Sequence, residues 1–101
     1  NKRQLDGYCK DIMEPFDLAR KMEAFGFRAE RVDGVDVAAI WVATERARAA
    51  HGMPSCIVLD TVKGQGIPYF EEMIDNHSVK FADPDYRAAR EAICRLDEAL
   101  G

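Results

Sequence analysis

The feature that most constrains the fold is an uninterrupted apolar run at residues 56–59, Cys-Ile-Val-Leu. A strand with one solvated face alternates apolar and polar residues, whereas a continuous run is typical of a strand buried on both faces, as in parallel sheets. We therefore predict such a strand over residues 55–62. The run is far shorter than the roughly 20 residues that a bilayer span needs, so a membrane protein is not indicated.

Two patterned segments precede this run and complete a supersecondary unit. Residues 27–32 alternate in part and end at the turn signal Asp33-Gly34, which predicts a strand. Asp36 is a good N-cap for a helix over residues 36–50. Strand, helix and strand joined by short links form a βαβ unit with parallel strands. The sequence therefore predicts an α/β fold.

Helices are predicted on both sides of this unit. Pro15 suits the first turn of a helix over residues 15–25. Asp83 as N-cap and Pro84 at the first helical position begin a C-terminal amphipathic helix over residues 84–100. Its apolar positions recur at spacings of three and four: Tyr86, Ala89, Ile93, Leu96 and Leu100. This stripe either packs on the domain's own sheet or forms a dimer contact.

Size and composition limit the classes of protein. The 101 residues suffice for one small domain, and the formal net charge of −4 disfavours a nucleic-acid partner. Three widely spaced cysteines without a paired motif indicate reduced thiols, and hence a cytoplasmic location. The chain opens at Asn1 without an initiator methionine, which indicates a processed N-terminus or a segment of a longer protein.

The chemical signals are weak when each is taken alone. Residues 61–66 leave the carboxyl end of the second strand, where ligands bind in open α/β sheets. Lys63 precedes the glycines, so this is no nucleotide P-loop, but a glycine turn is expected. His77 follows polar residues and is by itself most simply a solvated surface residue. The acidic residues Glu71, Glu72 and Asp75 are more simply a solvated helical face than a metal or acid–base cluster.

Several stretches, in one collinear series over residues 1–82, together resemble the transketolase family. The first two are an Asn-x-x-x-Leu-x-Gly segment at residues 1–7 and a Lys-x-x-Ala-Phe-Gly stretch within residues 21–27. An Asp-Gly-x-Asp turn follows at residues 33–36. The last two are a Pro-x-x-Ile-x-x-x-Thr-x-Lys-Gly-x-Gly segment at residues 54–66 and the single histidine His77. The pattern is most similar to the bacterial type with a separate N-terminal subunit.

The resemblance implies a fold and an activity. Residues 1–82 would form part of a three-layer thiamine-diphosphate-binding domain, and residues 83–101 a C-terminal helix. The complete enzyme would be a transferase of carbohydrate metabolism that moves a two-carbon ketol unit between sugar phosphates.

The resemblance also implies a role for five residues. The side-chain oxygen of Asn1 and the backbone carbonyl of Arg3 would bind Mg²⁺ or Ca²⁺, because hard cations prefer oxygen. Leu5 would pack against the cofactor rings, and Lys63 lies in the shared glycine segment. His77 would lie close to the diphosphate and the substrate hydroxyl, where proton transfer near neutral pH is useful. Asn1, Leu5, Lys63 and His77 are thus the expected cofactor-binding residues, and His77 the catalytic one.

Two departures from the family pattern limit what this chain is expected to do. Arg3 stands where the family has Ile or Leu, and Val35 replaces a histidine. The family's Gly-Asp-Gly metal motif and its cofactor-activating glutamate are not in this sequence. We therefore expect the isolated chain to be inactive, with an upstream half-domain and a pyrimidine-binding domain as its missing partners. Homo-oligomerisation is also expected.

Two other interpretations remain open from the sequence. A chain of this size could act as a non-catalytic dimerisation or subunit-interaction module. A piece of deoxyxylulose-phosphate synthase would also carry Thr-Val-Lys-Gly-x-Gly. The Lys-x-x-Ala-Phe-Gly stretch favours transketolase.

Overall fold

A computed structural model of the chain describes residues 1–5, 7–74, 76–78 and 80–101, so Asp75 of the predicted acidic group lies outside it. The elements, in chain order, are β1 (Arg3–Gln4), β2 (Gly7–Tyr8), α1 (Cys9–Ile12), α2 (Leu18–Ala24), β3 (Arg28–Asp33), α3 (Val37–Ala49), β4 (Ser55–Asp60), α4 (Pro68–Glu72) and α5 (Asp83–Leu100). They belong to two compact units. Unit 1 comprises Asn1–Met13 and Val62–Gly101, and unit 2 comprises Glu14–Thr61.

Unit 2 contains the predicted βαβ unit. Strands β3 and β4 are parallel, with Arg28 opposite Ser55 and Asp33 opposite Asp60, and both α2 and α3 pack against them. The parallel pairing confirms the prediction. Strand β4 ends at Asp60, earlier than predicted, and its apolar residues are only partly buried, since Leu59 is 42% exposed. The reason is that the sheet of unit 2, all of whose residues are described, has only these two strands.

Side-chain caps decide where the helices of unit 2 begin. Asp36 Oδ1 accepts a hydrogen bond from Ala39 N at 2.9 Å, which confirms the predicted N-cap of α3. The prediction that Pro15 begins the preceding helix is wrong, because α2 starts at Leu18. Asp17 Oδ1 accepts from Arg20 N at 3.2 Å. A carboxylate that satisfies an otherwise unpaired helix N–H stabilises the helix start more than a proline that only suits it.

Unit 1 contains the β1–β2 hairpin, helix α1, helix α4 and the long helix α5, whose existence confirms the predicted C-terminal helix. Asp83 is not its N-cap, contrary to the prediction. The cap is Ala82, whose backbone N donates to Asp85 Oδ2 at 2.7 Å. The Asp85 carboxylate also accepts from the Tyr69 hydroxyl at 2.8 Å. Asp85 is buried and has two donors, so it anchors the helix start to α4. None of the described helices has the length and apolar character of a bilayer span.

The contact between Tyr69 and Asp85 gives a testable pH dependence. The hydrogen bond to Asp85, then desolvation, then the negative charge of that carboxylate raise the pKa of Tyr69 above its ordinary value of 10.0. Because the folded-state pKa is the higher one, the stabilisation is complete below the unfolded pKa and is lost as pH rises through the folded pKa. We expect the free energy of unfolding to fall in that alkaline window. Tyr69→Phe should remove this component of the pH profile, and an unchanged alkaline profile in that variant would contradict the assignment.

Candidate functional site

All five residues predicted for the site lie in unit 1, on three segments that are distant in sequence but adjoin in space. Lys63 Nζ donates to the carbonyl of Gln4 at 3.5 Å, which joins the glycine segment to strand β1. Arg3 Nη1 donates to the carbonyl of Met73 at 2.9 Å, which joins β1 to the chain just before His77. Unit 1 thus brings the three predicted segments into one region.

The N-terminal segment directs two oxygen atoms to one side of β1. Arg3 pairs with Tyr8 in the antiparallel hairpin, and Cys9 N donates to Lys2 O at 2.9 Å. Because hydrogen-bonded and non-hydrogen-bonded pairs alternate, the backbone N–H and C=O of Arg3 point away from β2. That N–H donates to Asn1 Oδ1 at 3.1 Å. The Asn1 side-chain oxygen and the Arg3 carbonyl therefore lie on the same outer side of the strand.

These two oxygens fit a hard metal ion only in part. Mg²⁺ and Ca²⁺ bind oxygen, and Mg²⁺ sites in proteins commonly combine carboxylates, waters and phosphate oxygens. Within the described residues, no three or more His, Cys, Asp or Glu side chains cluster as metal ligands would. An amide oxygen and a carbonyl oxygen are neutral, so this region could supply two ligands and little charge. The remaining ligands of such an ion have to come from elsewhere.

Arg3 stands where the family has Ile or Leu, but its charged side chain has two favourable contacts. Its guanidinium lies 5.1 Å from the centre of the Tyr8 ring and bonds to the carbonyl of Met73. A cation over an aromatic face is a favourable contact. The side chain thus serves to hold the hairpin against a neighbouring segment. Leu5, at the end of β1, is 53% exposed and so leaves an apolar surface open.

The glycine turn predicted after β4 is present, and it packs tightly against helix α4. Gly64 has φ +83°, and a Cβ at this position would lie 2.7 Å from the carbonyl carbon and oxygen of Phe70. The backbone N of Gly66 donates to Glu71 Oε1 at 2.8 Å. Glu71 is therefore not the freely solvated residue that the sequence suggested, whereas Glu72 is exposed.

A cavity of about 330 Å³ borders the glycine turn. Its lining residues are Lys63, Gly64, Gln65, Ile67, Phe70, Asn76 and Phe81. The Nδ2 of Asn76 donates to the carbonyl of Phe70 at 2.7 Å, and its Oδ1 is buried without a partner among the described residues. Buried polar atoms are nearly always hydrogen-bonded in proteins. The Asn76 oxygen is thus a buried acceptor whose hydrogen bond is not made by any described residue.

The sequence predicted a role for His77 and none for its neighbour Asn76. The hydrogen bond of Asn76 to Phe70 holds the chain immediately before His77, whose own side chain is exposed. The only sequence signal for Asn76 was its position next to a predicted site residue. Glu71 was missed for a different reason, because its pairing with a backbone N–H five residues away depends on the turn geometry.

Together these observations define an α/β protein with a parallel βαβ unit and, in its other unit, a glycine turn bordering a small partly polar cavity. The family described as "Transketolase, thiamine diphosphate binding domain" matches residues 1–97. The chain belongs to this family.

Curated relatives agree with this assignment. The chain is 37% identical over 89 residues to a 6-deoxy-6-sulfo-D-fructose transketolase subunit of Clostridium sp. (strain MSTE9), covering 88% of this chain and 32% of that protein. It is 37% identical over 71 residues to one of the apulose-4-phosphate transketolase subunits of Actinobacillus succinogenes, covering 70% of this chain and 25% of that protein. It is 35% identical over 94 residues to transketolase 1 of Escherichia coli K12, covering 92% and 14%. The chain thus spans about a third or less of the length of these relatives.

Proposed function

We propose that this chain contributes part of the region that holds the diphosphate and metal ion in a transketolase-type enzyme transferring a two-carbon ketol unit between sugar phosphates. The observation that carries the proposal is the meeting of three family-like segments in unit 1. Lys63 reaches Gln4 and Arg3 reaches Met73, so strand β1 contacts both the glycine segment and the chain shortly before His77.

Each site residue has a role in this proposal. The oxygens of Asn1 and Arg3 supply two ligands to Mg²⁺, or to Ca²⁺ in its place. The Lys63 ammonium, only weakly held by a 3.5 Å contact, can turn towards an anionic diphosphate. Leu5 offers an apolar contact to a ring, and His77 holds or moves a proton at a diphosphate oxygen or substrate hydroxyl. Thiamine diphosphate, when bound, supplies the carbanion chemistry.

The names of the relatives bear on the class of sugar substrate. One relative is named for a sulfosugar and another for a sugar phosphate, which supports an anionic sugar as the substrate and no single member of that class. Their transketolase names favour this activity over that of deoxyxylulose-phosphate synthase. The remaining half-domain and the pyrimidine-binding domain are the proposed partners, and a cytoplasmic location remains a prediction from the cysteine pattern.

We expect the isolated chain to bind thiamine diphosphate with Mg²⁺ only weakly. Two neutral oxygens carry no charge that could offset the free-energy cost of removing water from the ion. The described residues also contain no cluster of carboxylates that could supply such charge. Calorimetric titration should show no micromolar affinity, and Asn1→Ala should leave the weak signal almost unchanged. Micromolar binding to the isolated chain would contradict this account of the site.

A chimeric enzyme tests the proposed function itself. The matching 94 residues of Escherichia coli transketolase 1 would be replaced by the corresponding part of this chain, and ketol transfer would be measured as a function of Mg²⁺ concentration. We expect an active chimera in which Asn1→Ala raises the Mg²⁺ concentration needed. A chimera with native circular dichroism that neither binds the cofactor nor transfers a ketol unit would refute the proposal.

A further inference from the structure

The side chain of Arg3 connects strand β1 to the segment that carries His77. Its Nη1 donates to the carbonyl oxygen of Met73 at 2.9 Å, in a partly buried contact that spans 70 positions of sequence. Met73 precedes His77 closely in the chain. A hydrogen bond from a charged donor is stronger than one between neutral groups. Arg3 therefore fixes a point of the backbone close to His77.

The guanidinium of Arg3 is itself oriented by Tyr8. It lies 5.1 Å from the centre of the Tyr8 ring, and its Nη2 donates to the Tyr8 hydroxyl at 3.4 Å. Tyr8 is also the residue opposite Arg3 in the β1–β2 hairpin. A planar guanidinium can stack on a ring and donate in fixed directions, which a flexible ammonium cannot do. The hairpin thus holds a donor that is already directed at Met73.

A second hydrogen bond holds the same segment immediately before His77. Asn76 Nδ2 donates to the carbonyl of Phe70, in helix α4, at 2.7 Å. Met73 and Asn76 are therefore bonded to two different elements, β1 and α4. The side chain of His77 is exposed, so its position depends on how the backbone before it is held and little on packing of the ring.

The contact of Arg3 with Met73 is a feature of this chain's own sequence. Arg3 stands where the family pattern has Ile or Leu, and neither of these side chains can donate to a carbonyl. With leucine at this position, the Met73 carbonyl would lose its charged donor in a partly buried place, which costs free energy. The backbone of that segment would then be free to move, and His77 would move with it.

We propose that the Arg3 side chain is a positioning residue, which acts through Met73 to place His77 for proton transfer. This inference rests on the proposed function, because it requires His77 to act on a substrate or diphosphate oxygen. It is separate from the metal-ligand role, which belongs to the backbone carbonyl of Arg3. A displacement of about 1 Å in a catalytic group can lower a rate about 10²-fold, so a contact that touches no substrate can still control turnover.

A double-mutant cycle in the chimeric enzyme tests whether Arg3 acts through His77. We expect Arg3→Leu to lower turnover by about 10- to 100-fold. The Mg²⁺ requirement should stay within about twofold, because leucine retains the backbone carbonyl. In the His77→Ala background, Arg3→Leu should lower turnover by less than about twofold more, since residues that act as a unit are not additive. Arg3→Lys keeps a charged donor and should retain more turnover than Arg3→Leu. Additive effects, or unchanged turnover in Arg3→Leu, would overturn the proposal.

Lys10 provides a matched control for the loss of a cation. Its ammonium lies 5.8 Å from the centre of the same Tyr8 ring, and among the described residues it makes no hydrogen bond to the segment before His77. Lys10→Leu should therefore keep turnover within about twofold, as expected for an exposed charge. Circular dichroism should show equal helix content in all variants. A loss of turnover in Lys10→Leu as large as that in Arg3→Leu would contradict a specific role for the bond to Met73.

Nuclear magnetic resonance of the full isolated chain gives a readout that does not depend on activity. We expect Arg3→Leu to shift the backbone amide and imidazole signals of His77, whereas Lys10→Leu should leave them in place. Signals of His77 that stay unchanged in Arg3→Leu would refute the positioning role even if the chimera is active. An inactive chimera together with shifted His77 signals would refute the proposed function and leave the contact between Arg3 and Met73 as the determinant of the His77 position.

Discussion

Replacing His77 by alanine in the chimeric transketolase described above is expected to lower turnover by about 10²–10⁴, the usual contribution of general acid–base help. An imidazole has one ring nitrogen that can donate a proton and one that can accept a proton, so it can act on an oxyanion or on a hydroxyl. The chain just before it is held by the bond between Asn76 Nδ2 and Phe70 O at 2.7 Å. His77 can therefore be positioned by its backbone while its side chain stays accessible.

The same change should not affect folding, which separates a chemical role from a structural one. The His77 side chain is exposed in unit 1, so we expect His77→Ala in the isolated chain to leave the thermal unfolding midpoint unchanged. Ser78→Ala, at the next exposed position, is the matched control in the chimera and should keep nearly full turnover. Unchanged turnover in the His77 variant would show that His77 is only a surface residue, and unfolding of the isolated chain would show that its role is structural.

The second large effect is expected at Gly64. An added Cβ would lie 2.7 Å from the Phe70 carbonyl carbon and oxygen and 3.0 Å from the Phe70 Cβ, and the residue has φ +83°. Backbone atoms cannot yield as the end of a flexible side chain can. We expect Gly64→Ala to lower the free energy of unfolding by about 2–4 kcal/mol, from the unfavourable dihedral together with the clash.

Gly66 offers a matched control for that substitution. It also has a positive φ, +95°, but a Cβ there would meet nothing within 4 Å. Gly66→Ala should therefore cost only the dihedral penalty, about 1–2 kcal/mol. Denaturant unfolding followed by far-ultraviolet circular dichroism measures the free-energy change of both variants. Equal destabilisation by the two substitutions would show that the turn relaxes away from Phe70.

The fold of unit 2 could be predicted from the sequence because its signals are local. The apolar run of β4, the N-cap Asp36 and the short links each act within a few residues, and parallel pairing follows from them. The errors arose where two local signals competed. Pro15 and Asp83 are acceptable at helix starts, but the carboxylates of Asp17 and Asp85 satisfy backbone N–H groups and so place the first turn.

The sequence predicted which residues belong to the candidate site but not how they are arranged in space. Similarity to the family pointed to Asn1, Lys63 and His77, but neither spacing nor composition says that these segments meet. That meeting depends on contacts such as Arg3 with Met73, across 70 positions of sequence. Asn76 gained significance only because its Oδ1 is buried without a described partner.

The parallel βαβ unit, the glycine turn and the amphipathic C-terminal helix could be predicted, because they depend on side-chain periodicity and on interactions between near neighbours. The structure was needed to show which distant segments lie together in unit 1 and which apolar side chains remain exposed. Burial and long-range hydrogen bonds depend on how elements pack, and no stretch of sequence specifies that packing alone. The exposure of Ile93, Leu96 and Leu100 on helix α5 and the bond between Lys63 and Gln4 both depend on such packing.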